Sequence, residues 1–154
     1  LSDAKKIYTC VRVVLKEKKF LGKCLIMGRS LGSASACEII SSFEKDIDGC
    51  IIESGFATEY PLLRLMHIEP EKINFTLKDG FMNLQKIKKY TKPIFIIHAD
   101  LDDIVPLSQA DMIMIETKAS SKELFKVNGA NHNNILMYAR EEYFSKIKSF
   151  IDSL

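Results

Sequence analysis

A serine set between two glycines, Gly28-Arg29-Ser30-Leu31-Gly32, directly follows a short apolar run and precedes a stretch of small residues. With Gly and Ser each near 7% of residues, a chance G-x-S-x-G match in a chain this size is on the order of 0.05. A strand before the motif and a helix after it lower those odds further. The chemistry such a corner supports is nucleophilic. A tight strand-to-helix turn lifts the Ser30 hydroxyl clear of a sheet, and Gly28 and Gly32 leave room for strand and helix to approach. The Leu31 N–H, at the positive end of the helix, can donate to a developing oxyanion. The ordinary alternative is a glycine-flanked turn without a catalytic role.

A serine hydroxyl is a poor nucleophile until a base takes its proton. The segment His98-Ala99-Asp100-Leu101-Asp102-Asp103-Ile104-Val105-Pro106 runs from an apolar strand into a carboxylate-rich loop, and Asn128-Gly129-Ala130-Asn131-His132-Asn133 is a polar loop before the final helix. Taken singly, an acidic loop is usually a solvated turn and a loop histidine usually has no reacting role. Together they follow Ser30 in the order nucleophile, acid, histidine at successive strand ends, the edge at which open parallel sheets hold ligands.

The elements that must position these residues are legible from patterning. Residues 2–18 predict an amphipathic helix capped by Ser2 or Asp3, with Ala4, Ile7, Val11, Val14 and Leu15 on its apolar face. Lys23-Cys24-Leu25-Ile26-Met27 reads as a strand buried on both faces. Then come a helix over Ser33 to Phe43, a strand at Gly49-Cys50-Ile51-Ile52, and an irregular stretch 54–80 with a short helix around Pro61–Met66. A helix over 83–90, a strand at Ile94–Ile97, a helix over Ser108–Thr117 and an edge strand at Glu123–Val127 follow. The tail from Ala139 to Leu154 predicts a helix with Tyr143, Phe144, Ile147, Phe150 and Ile151 facing inward. Strand and helix alternate, which predicts an α/β chain with a mostly parallel sheet flanked by helices, in one domain over 1–154.

Composition excludes other classes. Hydrophobic residues are 47% and charged ones 27% of 154, a globular balance. A net charge of +2 gives no nucleic-acid or membrane surface. Lys86, Lys88, Lys89 and Lys92 read as a solvated helix face, with no aromatic residues spaced for base stacking. No apolar stretch is long enough to span a membrane. Cys10, Cys24, Cys37 and Cys50 show no metal-ligand spacing, so free thiols and a reducing, cytoplasmic location are expected.

With these motifs in hand, the chain resembles the α/β-hydrolase superfamily, and most of all its small members without a large lid, among them esterase-like proteins and relatives of depalmitoylases. Gly28-Arg29-Ser30-Leu31-Gly32-Ser33 is similar to the family's nucleophile elbow, implying Ser30 as nucleophile. Pro93 through Pro106 is similar to its P-x-strand-H-G-x-x-D-x-x-V-P segment. Aligning Val105-Pro106 implies Asp102, rather than Asp100 or Asp103, as the acid. Gly129-Ala130-Asn131-His132-Asn133 is similar to the G-A-x-H-N corner, implying His132 as base and a structural His98. Ala99 and Asn131 depart from the commoner family residues without removing a reacting group.

The resemblance implies a serine hydrolase acting on a carboxylic ester or thioester, with no metal or organic cofactor. An amidase or peptidase, or a non-catalytic scaffold that retains part of the fold, is the alternative. A carboxylate-nucleophile variant is disfavoured by serine at the elbow. An acyl pocket is expected from segment 56–82, with Phe56, Leu62 and Met66 as substrate-binding candidates among Leu63, Phe75 and Phe81. Glu53 and Ser54 are expected to border the site without reacting. Family members carry further strands before the helix at 2–18, and a loop there gives a second oxyanion donor. Nothing in 1–154 matches it, and losing one such donor costs about 2.7–4 kcal/mol in the barrier. The expectation is therefore that this is the C-terminal catalytic portion of the fold, that the natural protein has an N-terminal half, and that the fragment alone would self-associate through the strand edge at 23–27.

Overall fold

The computed structural model describes residues 1–154. Helix α1 (Ser2–Glu17) leads to strand β1 (Leu25–Arg29), α2 (Gly32–Phe43), β2 (Gly49–Glu53), the short helices α3 (Tyr60–Leu65) and α4 (Asn83–Ile87), then β3 (Ile94–Ala99), α5 (Ser108–Glu116), β4 (Lys122–Val127) and α6 (Ile135–Ser153). Single 3₁₀ turns occupy Glu44–Asp46 and Pro70–Ile73.

The four strands form one parallel sheet in the order β1-β2-β3-β4. Alternation along each strand sends Cys50, Ile52, Ile94 and Ile96 to the face covered by α2, α4 and α5. Ile51, Phe95, Ile97, Phe125 and Val127 go to the face covered by α6. Burial on both faces explains why β2 and β3 carry near-continuous apolar runs. This is the predicted α/β architecture, a parallel sheet flanked by helices.

Three expectations about packing are corrected. In α1 the buried residue is Tyr8, stacked on Phe43 with ring centroids 4.7 Å apart, whereas Ile7, Val11 and Val14 are exposed. The helix is held to α2 by Tyr8 and a Lys5–Glu38 ion pair of 2.8 Å, and its apolar flank borders an open groove with Phe20, Leu25 and Met27. No side chain caps its first turn. In α6 the inward stripe is Tyr143, Ile147 and Phe150, continued by Leu154 just past the helix end. Phe144 and Ile151 stand one position round the helix from that stripe and are exposed. Lys86 is no solvated lysine: it pairs with Glu38 at 2.5 Å and donates to the Phe81 carbonyl at 2.6 Å.

β1 pairs with β2 alone, so its other edge is open, and Met27 is 47% exposed. No helix is long and apolar enough to cross a membrane. All four cysteines carry free thiols.

Candidate active site

The strands are in register at their C-terminal ends, where Arg29 is level with Glu53, Glu53 with Ile97, and Ala99 with Val127. The residues that follow, Ser30, Ser54, Asp100 and Asn128, therefore line one edge. Ser30 has φ +49°, a left-handed conformation that costs a non-glycine residue about 1–3 kcal/mol. It is held there by its own N–H donating to the Glu53 carbonyl (2.9 Å) and its carbonyl accepting from Ser33 N–H (2.9 Å). The turn is as tight as the motif predicts, but only one of its glycines is sterically required. A Cβ on Gly28 would lie 2.6 Å from the Gly32 carbonyl oxygen and 2.7 Å from the Ala36 Cβ. A Cβ on Gly32 would meet nothing within 4 Å, which corrects the reading of both glycines as needed for close approach.

His132 Nε2 is 2.9 Å from Ser30 Oγ, and His132 Nδ1 is 2.8 and 3.0 Å from the two oxygens of Asp102. Ser30 is half-buried, while His132 and Asp102 are 4% and 8% exposed. Asp102 Oδ1 also accepts from the Val105 N–H (2.7 Å) and the Ile104 N–H (3.1 Å). These bonds fix the carboxylate toward the imidazole. With Asp102 accepting at Nδ1, the proton sits on that nitrogen and leaves Nε2 free to accept from Ser30. The Leu31 N–H donates to no group of the chain and stands at the start of α2, beside the serine.

Neighbouring carboxylates have other partners. Asp100 Oδ1 accepts from Gly129 N–H at 2.7 Å, and the Leu101 N–H donates to the Ala130 carbonyl at 3.0 Å, so the acidic loop is tied to the histidine loop. Gly129 has φ +77°, the backbone that this corner needs. His98 is fully buried, with Nε2 donating to the Val105 carbonyl at 2.8 Å; Asp102 Oδ2 lies nearby at 3.6 Å, beyond hydrogen-bonding distance. Burial lowers its pKa below the ordinary imidazole value, outweighing the pull of the Val105 carbonyl and Asp102.

The substrate-binding expectations fare unevenly. Phe56 is fully buried, packed with Ala34, Val105, Leu62 and Phe81, so it forms core rather than an open wall. Leu62 packs against the same cluster, and Met66 is 68% exposed. The cleft over this segment, about 550 Å³, is lined instead by Thr58, Tyr60, Pro61, Arg64 and Leu65 from one side and Ile104, Pro106, Gln109 and Met112 from the other. Gln109 is a residue that patterning did not single out: its Oε1 accepts from the buried Ala57 and Thr58 N–H groups at 3.1 and 3.0 Å. Arg29 and Tyr143 also went unnoticed as partners of Glu53, at 3.0 and 2.6 Å. No cluster of three or more His, Cys, Asp or Glu side chains could hold a metal ion.

No family model matches the chain. Among curated proteins it is 29% identical to "Alpha/beta hydrolase domain-containing protein 17C" of Xenopus tropicalis over 128 residues, which is 82% of this chain and 38% of that protein. It is 27% identical to "Alpha/beta hydrolase domain-containing protein 17B" of Homo sapiens, covering 82% of this chain and 41% of that one. The chain thus spans about two fifths of the length of these relatives. Among solved structures, one described under LipS and LipT, two metagenome-derived lipolytic enzymes, superposes with a TM-score of 0.73 at 15% identity, covering 98% of this chain and 72% of the other. A monoacylglycerol lipase of Paleococcus ferrophilus gives 0.67 at 13% identity, covering 97% and 75%. At these identities the likeness is one of fold.

Proposed function

From the premise that the chain belongs to the α/β-hydrolase superfamily, we propose that it is a serine hydrolase that cleaves a carboxylic ester or thioester through an acyl-enzyme. The observation that carries the reading is the unbroken hydrogen-bonded series from Ser30 Oγ through His132 to Asp102, at 2.9 and 2.8 Å. In the first half-reaction His132 Nε2 takes the Ser30 proton as the oxygen attacks the carbonyl carbon. Asp102 keeps the imidazole in the right tautomer and stabilises the imidazolium. The unbonded Leu31 N–H donates to the oxyanion. His132 then returns the proton to the departing alcohol or thiol. In the second half-reaction it takes a proton from water as the water oxygen attacks the acyl carbon, then passes that proton to Ser30 Oγ as the carboxylic acid is released.

Ester chemistry is favoured over amide because the structurally similar lipolytic enzymes and monoacylglycerol lipase act, by their names, on lipid esters. The test is covalent. A fluorophosphonate probe should label the chain on Ser30, read by peptide mass spectrometry, and should not label Ser30→Ala. Wild-type protein that resists the probe while folded would overturn the reading. A panel of esters and thioesters of graded acyl length would then define the substrate class.

A further inference from the structure

Arg29, the variable residue between Gly28 and Ser30, carries a guanidinium whose two arms reach in different directions. Its Nε donates to Glu53 Oε1 at 3.0 Å, and one terminal nitrogen donates to the backbone carbonyl of His132 at 2.6 Å. The same nitrogen is 3.5 Å from Asn133 Oδ1. Glu53 is 7% exposed, and its second oxygen accepts from the Tyr143 hydroxyl at 2.6 Å. A buried carboxylate is costly unless paired and bonded at both oxygens, and here both are engaged. The result is a fixed anion that holds a cation, and that cation holds the backbone of His132 itself.

We infer that Arg29 is a positioning residue, clamping the His132 loop against the serine turn through buried Glu53 and Tyr143; the inference rests on the serine-hydrolase reading of the site. The geometry explains why this job falls to a side chain at position 29. Ser30 sits at the end of β1 and His132 in the loop after β4, at opposite edges of the four-stranded sheet. The loop's own bonds, Gly129 N–H to Asp100 and Leu101 N–H to the Ala130 carbonyl, tie it to the acid and not to the nucleophile. Arg29 supplies the tie on the serine side. Its neighbour Ser30 shares its backbone, so the distance from His132 to the hydroxyl is set over a short path. A planar guanidinium can bridge two acceptors at once, whereas a lysine ammonium on a flexible stem reaches one.

The test compares wild type with Arg29→Met, Arg29→Lys and Tyr143→Phe in the same chain. Two readouts are taken: the saturation kinetics of fluorophosphonate labelling of Ser30, and the NMR signal of the hydrogen-bonded His132 Nδ1 proton. Thermal melting reports the fold separately. Misplacing a catalytic group by about 1 Å costs on the order of 100-fold, so Arg29→Met should slow the maximal labelling rate by about 10- to 100-fold. The probe concentration at half-saturation should change little, and the Nδ1 proton signal should broaden or vanish. Arg29→Lys should fall between, and Tyr143→Phe should show a smaller loss in the same direction.

If Arg29→Met melts near wild type but labels at the wild-type rate with its Nδ1 signal intact, the inference is overturned. If it does not fold, Arg29→Lys and Tyr143→Phe decide by the same two readouts. Should wild-type Ser30 resist the probe, the hydrolase reading fails. The clamp is then judged by the Nδ1 signal alone, where its loss in Arg29→Met supports the clamp and its persistence overturns it.

Discussion

Replacing Gly28 with alanine should cripple both fold and site, while the same change at Gly32 should do neither harm. At position 28 the added Cβ would lie 2.6 Å from the Gly32 carbonyl oxygen, 2.7 Å from the Ala36 Cβ and 2.9 Å from the Ser33 Cα. Two of those three atoms are backbone, so no rotamer change relieves the clash and α2 must back away from β1. Overpacking a core usually costs about 1–3 kcal/mol, and with rigid neighbours the upper end or beyond is expected. That is a large share of the roughly 5–15 kcal/mol that holds a domain together. The displacement passes straight into Ser30, whose strained φ depends on bonds to Glu53 and Ser33. Movement of about 1 Å there should slow acylation on the order of 100-fold. At position 32 the Cβ meets nothing within 4 Å and φ is not left-handed. Alanine there should range from neutral to about 1 kcal/mol more stable, since it reduces unfolded-state freedom and favours helix. Urea unfolding followed by circular dichroism, with slopes compared to ensure a common unfolded state, gives the stabilities. Fluorophosphonate labelling gives the acylation rates. Equal damage at the two positions, or a wild-type Gly28→Ala, would refute this account of the turn.

Asp102→Asn should slow Ser30 labelling by about 10⁴-fold, and a loss under about tenfold would refute the proposed role. Its amide oxygen can keep the Ile104 and Val105 N–H bonds, but its NH₂ then faces His132 Nδ1 and drives the proton to Nε2, where it blocks the base. His98 should make the fold acid-sensitive. Burial depresses its folded pKa, so below the ordinary imidazole value of about 6.5 the unfolded chain binds more protons and stability falls with pH. His98→Gln can still donate to the Val105 carbonyl without titrating, so its urea midpoint should fall less than that of wild type between about pH 7.5 and about pH 5. Parallel declines in the two proteins would remove His98 as the cause.

The elements were readable because each depends on local pattern. The apolar runs before Ser30 and Asp100 mark strands, and glycine, proline and polar loops punctuate them, so the order of elements follows from the chain alone. What chain order does not contain is which way a helix turns when it docks. Ile7, Val11 and Val14 form a regular apolar stripe, yet α1 is fastened through Tyr8 and Lys5; Ile7 and Val11 border an open groove and Val14 is exposed. Phe144 and Ile151 miss the core by a single position, a difference of about 100° that spacing rules of three and four residues blur. Phe56 read as a pocket wall because it is apolar and lies in an irregular segment. Its burial against Ala34 and Val105 is decided by residues 22 and 49 positions away.

The reacting residues and their supports differ in legibility for a single physical reason. Ser30, Asp102 and His132 each stand just beyond a strand end, and a parallel sheet brings all such positions to one edge whatever its exact register. The supports are register-dependent. Arg29 reaches Glu53 because the two are level across β1 and β2, and a slip of one residue would turn Glu53 to the other face, away from Tyr143 on α6. Asp100 and Asp102 are separated by a single residue, yet one holds the Gly129 backbone and the other the His132 imidazole. Composition and order treat those two carboxylates alike; only the resemblance to a motif ending in Val-Pro distinguished them. The bonds from Asp102 Oδ1 to the Ile104 and Val105 N–H groups supply the physical basis for that motif. They fold the loop back on the carboxylate, so that the residue three before Val105 is the one aimed at the histidine.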